Sequence, residues 1–430
     1  MTTENVPAQS AKTARYTLVM LTIAYVFNFI DRQILVILQE PIKEELLLSD
    51  AQLGLLSGFS FAMVYITAGI PIAYWADRGN RRNIIALAVT VWSGMTALSG
   101  FAQTYSQLML ARIGVGIGEA GGSPPAHSMI SDIFPPEERA TALSFYSSGI
   151  HFGILLGFLA GGFIAEALGW RAAFMAVGIP GVVFAILFFL TVKEPVRGRF
   201  ESAAQAEYKP TLGETFRVLA GYRSFWYIAA GCGLTAFAGY GNGNFTPSFL
   251  MRSHDLEVGQ VGILLAIFGG GGGIIGTLMG GYLADRFGGD DKRWYLWIPA
   301  IAGALALPLS VPYLLTDNTT LAIGLMFFVT IMINTYLGPS IAICHSLVPP
   351  AMRALASAIL FFVLNLVGLG MGPLTAGLLS DHFSVTYGDD GLRYAMLVVG
   401  AIASLGVLMF VLAARSLPRD LAARDRLTDA

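Results

Sequence analysis

Twelve apolar stretches, each long enough to cross a bilayer as a helix, constrain this 430-residue chain more than any other feature. They lie near 16–38, 51–76, 83–102, 106–131, 140–166, 172–192, 224–250, 258–284, 294–315, 320–347, 354–380 and 393–414. A hydrocarbon core about 30 Å thick takes about 20 helical residues, and hydropathy windows of that length pick out every stretch. Only 13% of the residues are charged, against about 25% in soluble domains, and mean hydropathy is +0.65. The expected fold class is therefore an all-α membrane protein. A net charge of −2 leaves no basic footprint for nucleic acid. Cys232 and Cys344 stand far apart in apolar spans without metal-ligand spacing, so both read as core residues. No nucleophile-and-base constellation or metal cluster points to an enzyme, and no cofactor is expected. The first span is too long for a signal h-region and carries Asp31 and Arg32, so cleavage is not expected.

Orientation follows from the basic residues. With the N-terminus in the cytoplasm, twenty lysines and arginines fall inside and only Lys43, Arg171, Arg252 and Arg393 fall outside. That bias predicts two cytoplasmic termini in a cell-membrane protein. The expected organisation is a tail over 1–15, six spans over 16–192, a hydrophilic cytoplasmic linker over 193–223, six spans over 224–414, and a tail over 415–430. The halves repeat. Asp77-Arg78 after span 2 returns as Asp285-Arg286 after span 8, and the Pro135-Pro136 pair before Arg139 returns as Pro349-Pro350 before Arg353, at offsets of 208 and 214. Duplicated six-helix halves predict a substrate site near the bilayer midplane.

Span 4 carries the charges that need explaining. Residues 107–131 read as one long helix, and its only charged groups are Arg112 and Glu119. Seven residues are two helical turns, so the two share a face about 10 Å apart. Gly116, Ser123 and His127 continue the same stripe. Charges at bilayer depth are normally found facing a bundle interior or a water-filled cavity. Counting from opposite membrane faces puts Asp31 of span 1 level with Arg112, while Glu119 stands alone near the midplane. A low-dielectric surrounding disfavours a charged carboxylate, so Asp31 and Glu119 are candidate proton carriers, with Arg112 the charge that reports their state. Arg32 is a candidate ligand for an anionic headgroup, because a guanidinium matches phosphate in bidentate geometry. A structural Asp31–Arg112 ion pair and an Arg32 that snorkels to water are the alternatives.

The loop Ala73-Tyr74-Trp75-Ala76-Asp77-Arg78-Gly79-Asn80-Arg81-Arg82 resembles the signature loop between helices 2 and 3 of the major facilitator superfamily, with alanine and asparagine where that pattern usually has glycines. Its copy, Gly281-Tyr282-Leu283-Ala284-Asp285-Arg286-Phe287-Gly288, keeps both glycines and then runs into Gly289-Asp290-Asp291. Arg112 with Gly116 and Gly118, and Gly169-Trp170-Arg171 before span 6, are similar to further motifs of that superfamily. Asn28-Phe29-Ile30-Asp31-Arg32 together with Gly114 to Ala120 resembles the Spinster family of lysolipid and sphingolipid transporters. The resemblance implies twelve helices in two pseudo-symmetric six-helix bundles. It also implies an amphiphilic substrate such as a lysophospholipid or a sphingosine phosphate.

Further candidates complete the site. Asn28, Ser123, Tyr146 and His151 are placed with the N-terminal charges as substrate contacts. Tyr240, Asn242 and Asn244, in a glycine-rich stretch of span 7 whose freed backbone groups must face protein or water, would supply polar groups to an otherwise apolar C-terminal half. Asn334, Tyr336 and Asn365 are weaker candidates. Asp77, Arg78, Arg81, Arg82, Asp285 and Arg286 form the expected cytoplasmic gate, with Glu137 or Glu138 as partners. The Gly149, Gly153, Gly157, Gly161 ladder reads as close helix packing, and Gly269 to Gly273 as a bend. The function expected is proton-coupled secondary transport of an amphiphile by alternating access, by a monomer in contact with membrane lipid. A multidrug or organic-ion exporter and a non-transporting sensor or scaffold are the alternatives.

Overall fold

The computed structural model describes residues 11–198, 200, 211–349 and 352–428, and it is helical in each expected span. We number these membrane passages α1 (Ala11–Ile37), α2 (Asp50–Gly54, Leu55–Phe59 and Ser60–Arg78), α3 (Arg81–Ser99), α4 (Tyr105–Glu119 and Ser123–Ile133), α5 (Pro136–Leu168) and α6 (Trp170–Thr191). The second half gives α7 (Arg223–His254), α8 (Val258–Leu264, Leu265–Gly270 and Gly271–Phe287), α9 (Trp294–Leu315), α10 (Thr319–Ile333 and Leu337–Ser346), α11 (Arg353–Val363, Leu364–Met371 and Gly372–Tyr387) and α12 (Gly391–Thr428). Short helices Gln39–Leu46 and Leu212–Ala220 lie between passages. The protein is a multi-pass membrane protein.

Two passages are broken where one helix was expected. In α4 the chain turns at Ala120 to Gly122, just after Glu119. Pro124 and Pro125 open the second segment, and without N–H groups they cannot bond the carbonyls four residues back. In α10 the break falls between Ile333 and Leu337. Conversely, the glycine and asparagine run of α7 stays helical from Arg223 to His254. Its polar side chains close on backbone: Asn244 donates to the Tyr240 carbonyl at 2.8 Å and Thr246 to the Asn242 carbonyl at 2.8 Å. The glycine run of α8 begins inside a wide π-type segment, Leu265–Gly270. Such turns also interrupt α2 at Leu55–Phe59 and α11 at Leu364–Met371.

The chain forms two compact units. The first comprises Met1–Ile34, Val64–Gly157 and Trp170–Ala206. Here α3 packs against α4 and α6, with Trp92, Phe174 and Phe188 fully buried. The glycine ladder of α5 lies against α1: a methyl group added at Gly153 would sit 2.5 Å from Phe29 Cβ and 2.7 Å from the Val26 carbonyl. Because lipid is as apolar as the side chains, such close backbone approach, not hydrophobicity, drives helix association.

The second unit comprises Leu35–Met63, Phe158–Gly169 and Glu207–Ala430. Its core joins α7, α9, α10, α11 and α12, and both cysteines are buried in it. The end of α12 continues as helix to Thr428. There Asp420 accepts from the Ser224 N–H at 2.7 Å at the start of α7, and Arg424 donates to the Ser346 carbonyl at 2.6 Å at the end of α10. An anion at a helix N-terminus and a cation at a C-terminus both complement the helix dipole.

A Gly153→Val variant is expected to lose about 1–3 kcal/mol or more through overpacking against α1. Gly239→Ala, which meets nothing within 4 Å, should be neutral or gain up to about 1 kcal/mol. Thermal unfolding in detergent compares them.

Candidate functional site

The expected charges of α1 and α4 converge inside the first unit. Arg32 Nε donates to Glu119 Oε2 at 2.6 Å, with the Glu119 side chain fully buried. Glu119 is therefore paired, which corrects its placement as a lone carboxylate. The reason is rotational. Arg32 and Asp31 are successive residues, about 100° apart around α1, so a face that buries Asp31 can turn Arg32 toward the deeper level of α4. Arg112 makes no side-chain ion pair with Asp31. Its Nη1 donates to the Asp31 carbonyl oxygen at 3.4 Å. Asp31 and Arg112 are both buried, and Asn28 faces the Glu119 carboxylate. The Arg32 guanidinium also lies 5.1 Å from the Phe29 ring centre and 5.5 Å from that of Tyr65 on α2.

Aromatic groups continue the site. Tyr146 of α5 stacks on Tyr25 at 4.4 Å, and His127 meets its edge at 5.3 Å. Ser123 faces the Tyr146 hydroxyl. Tyr25, Asn28, Trp92, Ser123, Ala126 and Tyr146 line one small cavity. His151 is half-buried on α5, five residues beyond Tyr146. In the second unit, Asn242 donates to the Met396 carbonyl of α12 at 3.1 Å and Tyr240 is partly exposed. Asn334 donates to the Thr330 carbonyl at 2.8 Å, while Tyr336 precedes the second segment of α10 and Asn365 lies in the wide turn of α11.

The signature loop after α2 is a tied junction. Arg81 is 1% exposed. It donates to Asp132 at 2.5 Å, Glu194 at 2.7 Å, Ser128 at 2.7 Å and the Pro195 carbonyl at 3.2 Å. Among the described side chains its carboxylate partners are thus Asp132 and Glu194, not the expected Glu138. Glu138 is exposed, and the Glu137 and Asp77 side chains lie outside the described residues. Glu194 also accepts from the Arg82 N–H at 2.8 Å, and Arg197 donates to the carbonyls of Ala76 and Gly79. Arg78 stacks over Tyr74 at 3.6 Å and Arg82 lies over Phe189 at 4.7 Å. The second copy is built differently. Asp285 accepts from the Tyr295 hydroxyl at 2.6 Å and Arg286 donates to the Tyr282 hydroxyl at 3.1 Å.

A second ionic cluster went unanticipated. In the second unit Arg252 of α7 donates to Glu40 at 2.8 Å and to both Asp50 oxygens at 2.7 and 2.8 Å. Lys43 reaches Asp50 at 2.7 Å and Ser380 reaches it at 2.5 Å. Asp381 caps the start of α2 by accepting from the Asp50 and Ala51 N–H groups at 2.8 and 2.9 Å. The available signal was that Lys43 and Arg252 are two of the four basic residues on the minority side. The other two are also held, Arg171 by the Ala102 carbonyl at 3.0 Å and Arg393 by Asp317 at 2.9 Å.

Among the described residues, helices in each of the twelve expected spans, a repeated signature loop and a buried ionic cluster occur together. The sequence profile of the Major Facilitator Superfamily matches residues 21–371, and the chain belongs to that family. An MFS-type efflux pump of Mycolicibacterium smegmatis is 37% identical over 403 residues, covering 94% of this chain and 93% of the relative. The probable L-galactonate transporter of Escherichia coli K12 is 27% identical, covering 93% and 88%. The fold matches the crystal structure of a bacterial homologue of the human lysosomal transporter Spinster in an inward-facing, unoccupied conformation. The TM-score is 0.90 at 32% identity, covering 96% of this chain and 99% of that one.

Removing Arg252 takes from the partly buried Glu40 and the buried Asp50 their shared cation and leaves Asp50 only the Lys43 cation, and breaking a buried pair costs up to about 3–5 kcal/mol. Arg252→Ala should melt well below wild type in detergent, and Arg252→Lys should recover only part of the loss, because an ammonium cannot span two carboxylates bidentately.

Proposed function

We propose that this chain is a proton-coupled secondary transporter working by alternating access, and that its substrate is an amphiphile with an anionic or zwitterionic head, of the lysolipid or sphingoid class. The observation that carries this reading is the buried Arg32–Glu119 pair, 2.6 Å apart. A protonated Glu119 no longer holds Arg32 by charge. The guanidinium, 23% exposed at its side chain, is then available to a substrate phosphate or carboxylate in bidentate geometry. Substrate and carboxylate thus compete for one cation, which couples headgroup binding to proton binding. Asp31 and Arg112 set the charge balance behind that exchange. Each charge carried through the full membrane potential is worth about 2.3 kcal/mol per 100 mV, enough to drive accumulation. The lipid class rests on the resemblance of Asn28 to Arg32 and Gly114 to Ala120 to the Spinster family, a bacterial homologue of which shares this fold.

A second reading is an organic-acid or drug transporter, favoured by the relatives named as an L-galactonate transporter and an efflux pump. It uses the same Arg32 for a carboxylate and dispenses with the hydrocarbon tail.

In proteoliposomes with an imposed pH gradient, Glu119→Gln should lose proton-driven transport while remaining folded, as circular dichroism checks. Undiminished pH-dependent uptake in that variant would sink the coupling proposal. A panel of lysophosphatidylcholine, sphingosine phosphate, galactonate and a cationic drug, assayed with and without sodium, separates the two substrate readings. Arg32→Lys should reduce uptake of the anionic substrates at least tenfold, since a point charge replaces a fork.

A further inference from the structure

Asp31 is fully buried, and neither of its carboxylate oxygens has a hydrogen-bond partner. Facing that carboxyl from α3 is the Thr96 side chain. Thr96 is also fully buried, and its hydroxyl has no hydrogen-bond partner either. Thr17 and Thr215 share that state, but of the three only Thr96 faces a buried carboxyl among the described contacts. Several other helical threonines bond back to the carbonyl four residues earlier: Thr22 to Leu18, Thr90 to Ala86, Thr277 to Gly273 and Thr330 to Met326, at 2.8–2.9 Å. Thr96 has left the Trp92 carbonyl and presents its hydroxyl to a carboxyl instead. A buried polar group without a partner costs about 1–3 kcal/mol, so two facing each other call for an explanation.

The chemistry supplies one. A hydroxyl can donate to a carboxylate and can accept from a neutral carboxyl, whereas a guanidinium only donates. Arg112 therefore serves Asp31 in one charge state alone, and it is directed at the Asp31 carbonyl. We propose that Thr96 is a positioning residue for Asp31, reversing the direction of one hydrogen bond as the carboxyl gains or loses its proton. This deepens the proton-coupling reading given above and rests on it. The two guanidiniums around Asp31 only donate, and the Glu119 carboxylate is engaged by Arg32. Arg112 and Glu119 face it from α4, Arg32 adjoins it on α1, and α5 presents Gly149, Gly153 and Gly157 to α1.

Infrared difference spectroscopy on the purified protein, titrated across pH, tests this without any substrate. The Asp31 carboxylic C=O band is identified by its loss in Asp31→Asn. Thr96→Val is expected to shift that band to higher frequency and to move its titration midpoint by about one pH unit, a tenfold change in proton affinity. Thr96→Ser should restore both. If Thr96→Val does not fold, Thr96→Ala makes the same comparison without the added methyl groups. A titrating Asp31 band that ignores Thr96→Val, or a Thr96→Ser variant as altered as the valine one, overturns the positioning role alone. Difference spectra unchanged by Asp31→Asn overturn Asp31 as a proton carrier and this proposal with it, whatever the uptake assays on Glu119→Gln give.

Discussion

A charge taken out of water loses several kcal/mol of hydration even after relaxation, and it stays ionised only where a partner of opposite charge and further hydrogen bonds replace that water. This chain meets the demand by joining segments far apart in sequence. Arg32 and Glu119 link α1 to α4. Arg252 links α7 to the short helix carrying Glu40 and to the start of α2 at Asp50. Arg81 links the loop after α2 to the end of α4 and to the beginning of the linker. Arg252 and Arg81 each meet two or more acceptors, which suits a fork of five donors better than it would suit an ammonium.

Such pairs form only if the backbones come close, and glycine makes that possible. Gly153 and Gly157 bring α5 against the stretch of α1 that presents Asp31 and Arg32. On α4, Gly118 lies against the backbone of Trp92 on α3, one residue from Glu119. In the second unit, Gly377 of α11 faces the Asp50 carbonyl beside the Arg252 cluster. The glycine-rich segments and the ionic clusters are therefore parts of one design. Small residues set the spacing that lets long charged side chains reach one another.

The duplicated signature loops show how one motif can serve two purposes. In the first half Arg81 is enclosed by carboxylates and carbonyls, which immobilise the loop and the head of the linker. In the second half, where Gly289-Asp290-Asp291 replaces the basic end, the pairs are local: Arg293 with Asp291, and Asp285 with Tyr295. The corresponding end of the second unit is held instead by α12, whose Asp420 and Arg424 close the termini of α7 and α10.

The helical spans, the internal duplication and the clustering of Asp31, Arg32, Arg112 and Glu119 were all legible in the sequence. Hydropathy period, motif spacing and the cost of charge in lipid are local or one-dimensional properties. The partners were not legible. Depth counting located each charge along its helix and left its rotation undetermined, so Arg112 was matched to the Asp31 carboxylate and Glu119 was left alone. The structure instead brings Glu119 to Arg32 and leaves Asp31 facing Thr96, a residue that looks ordinary in sequence. Asp50, Glu40 and Arg252 escaped for the same reason: each stands near a passage end, where a charge is unremarkable until tertiary packing buries it. The sequence by itself determined that charges would have to be enclosed. Only the tertiary structure decided which side chains enclose them, because rotation about a helix axis and contact between distant helices are fixed by packing and not by spacing along the chain.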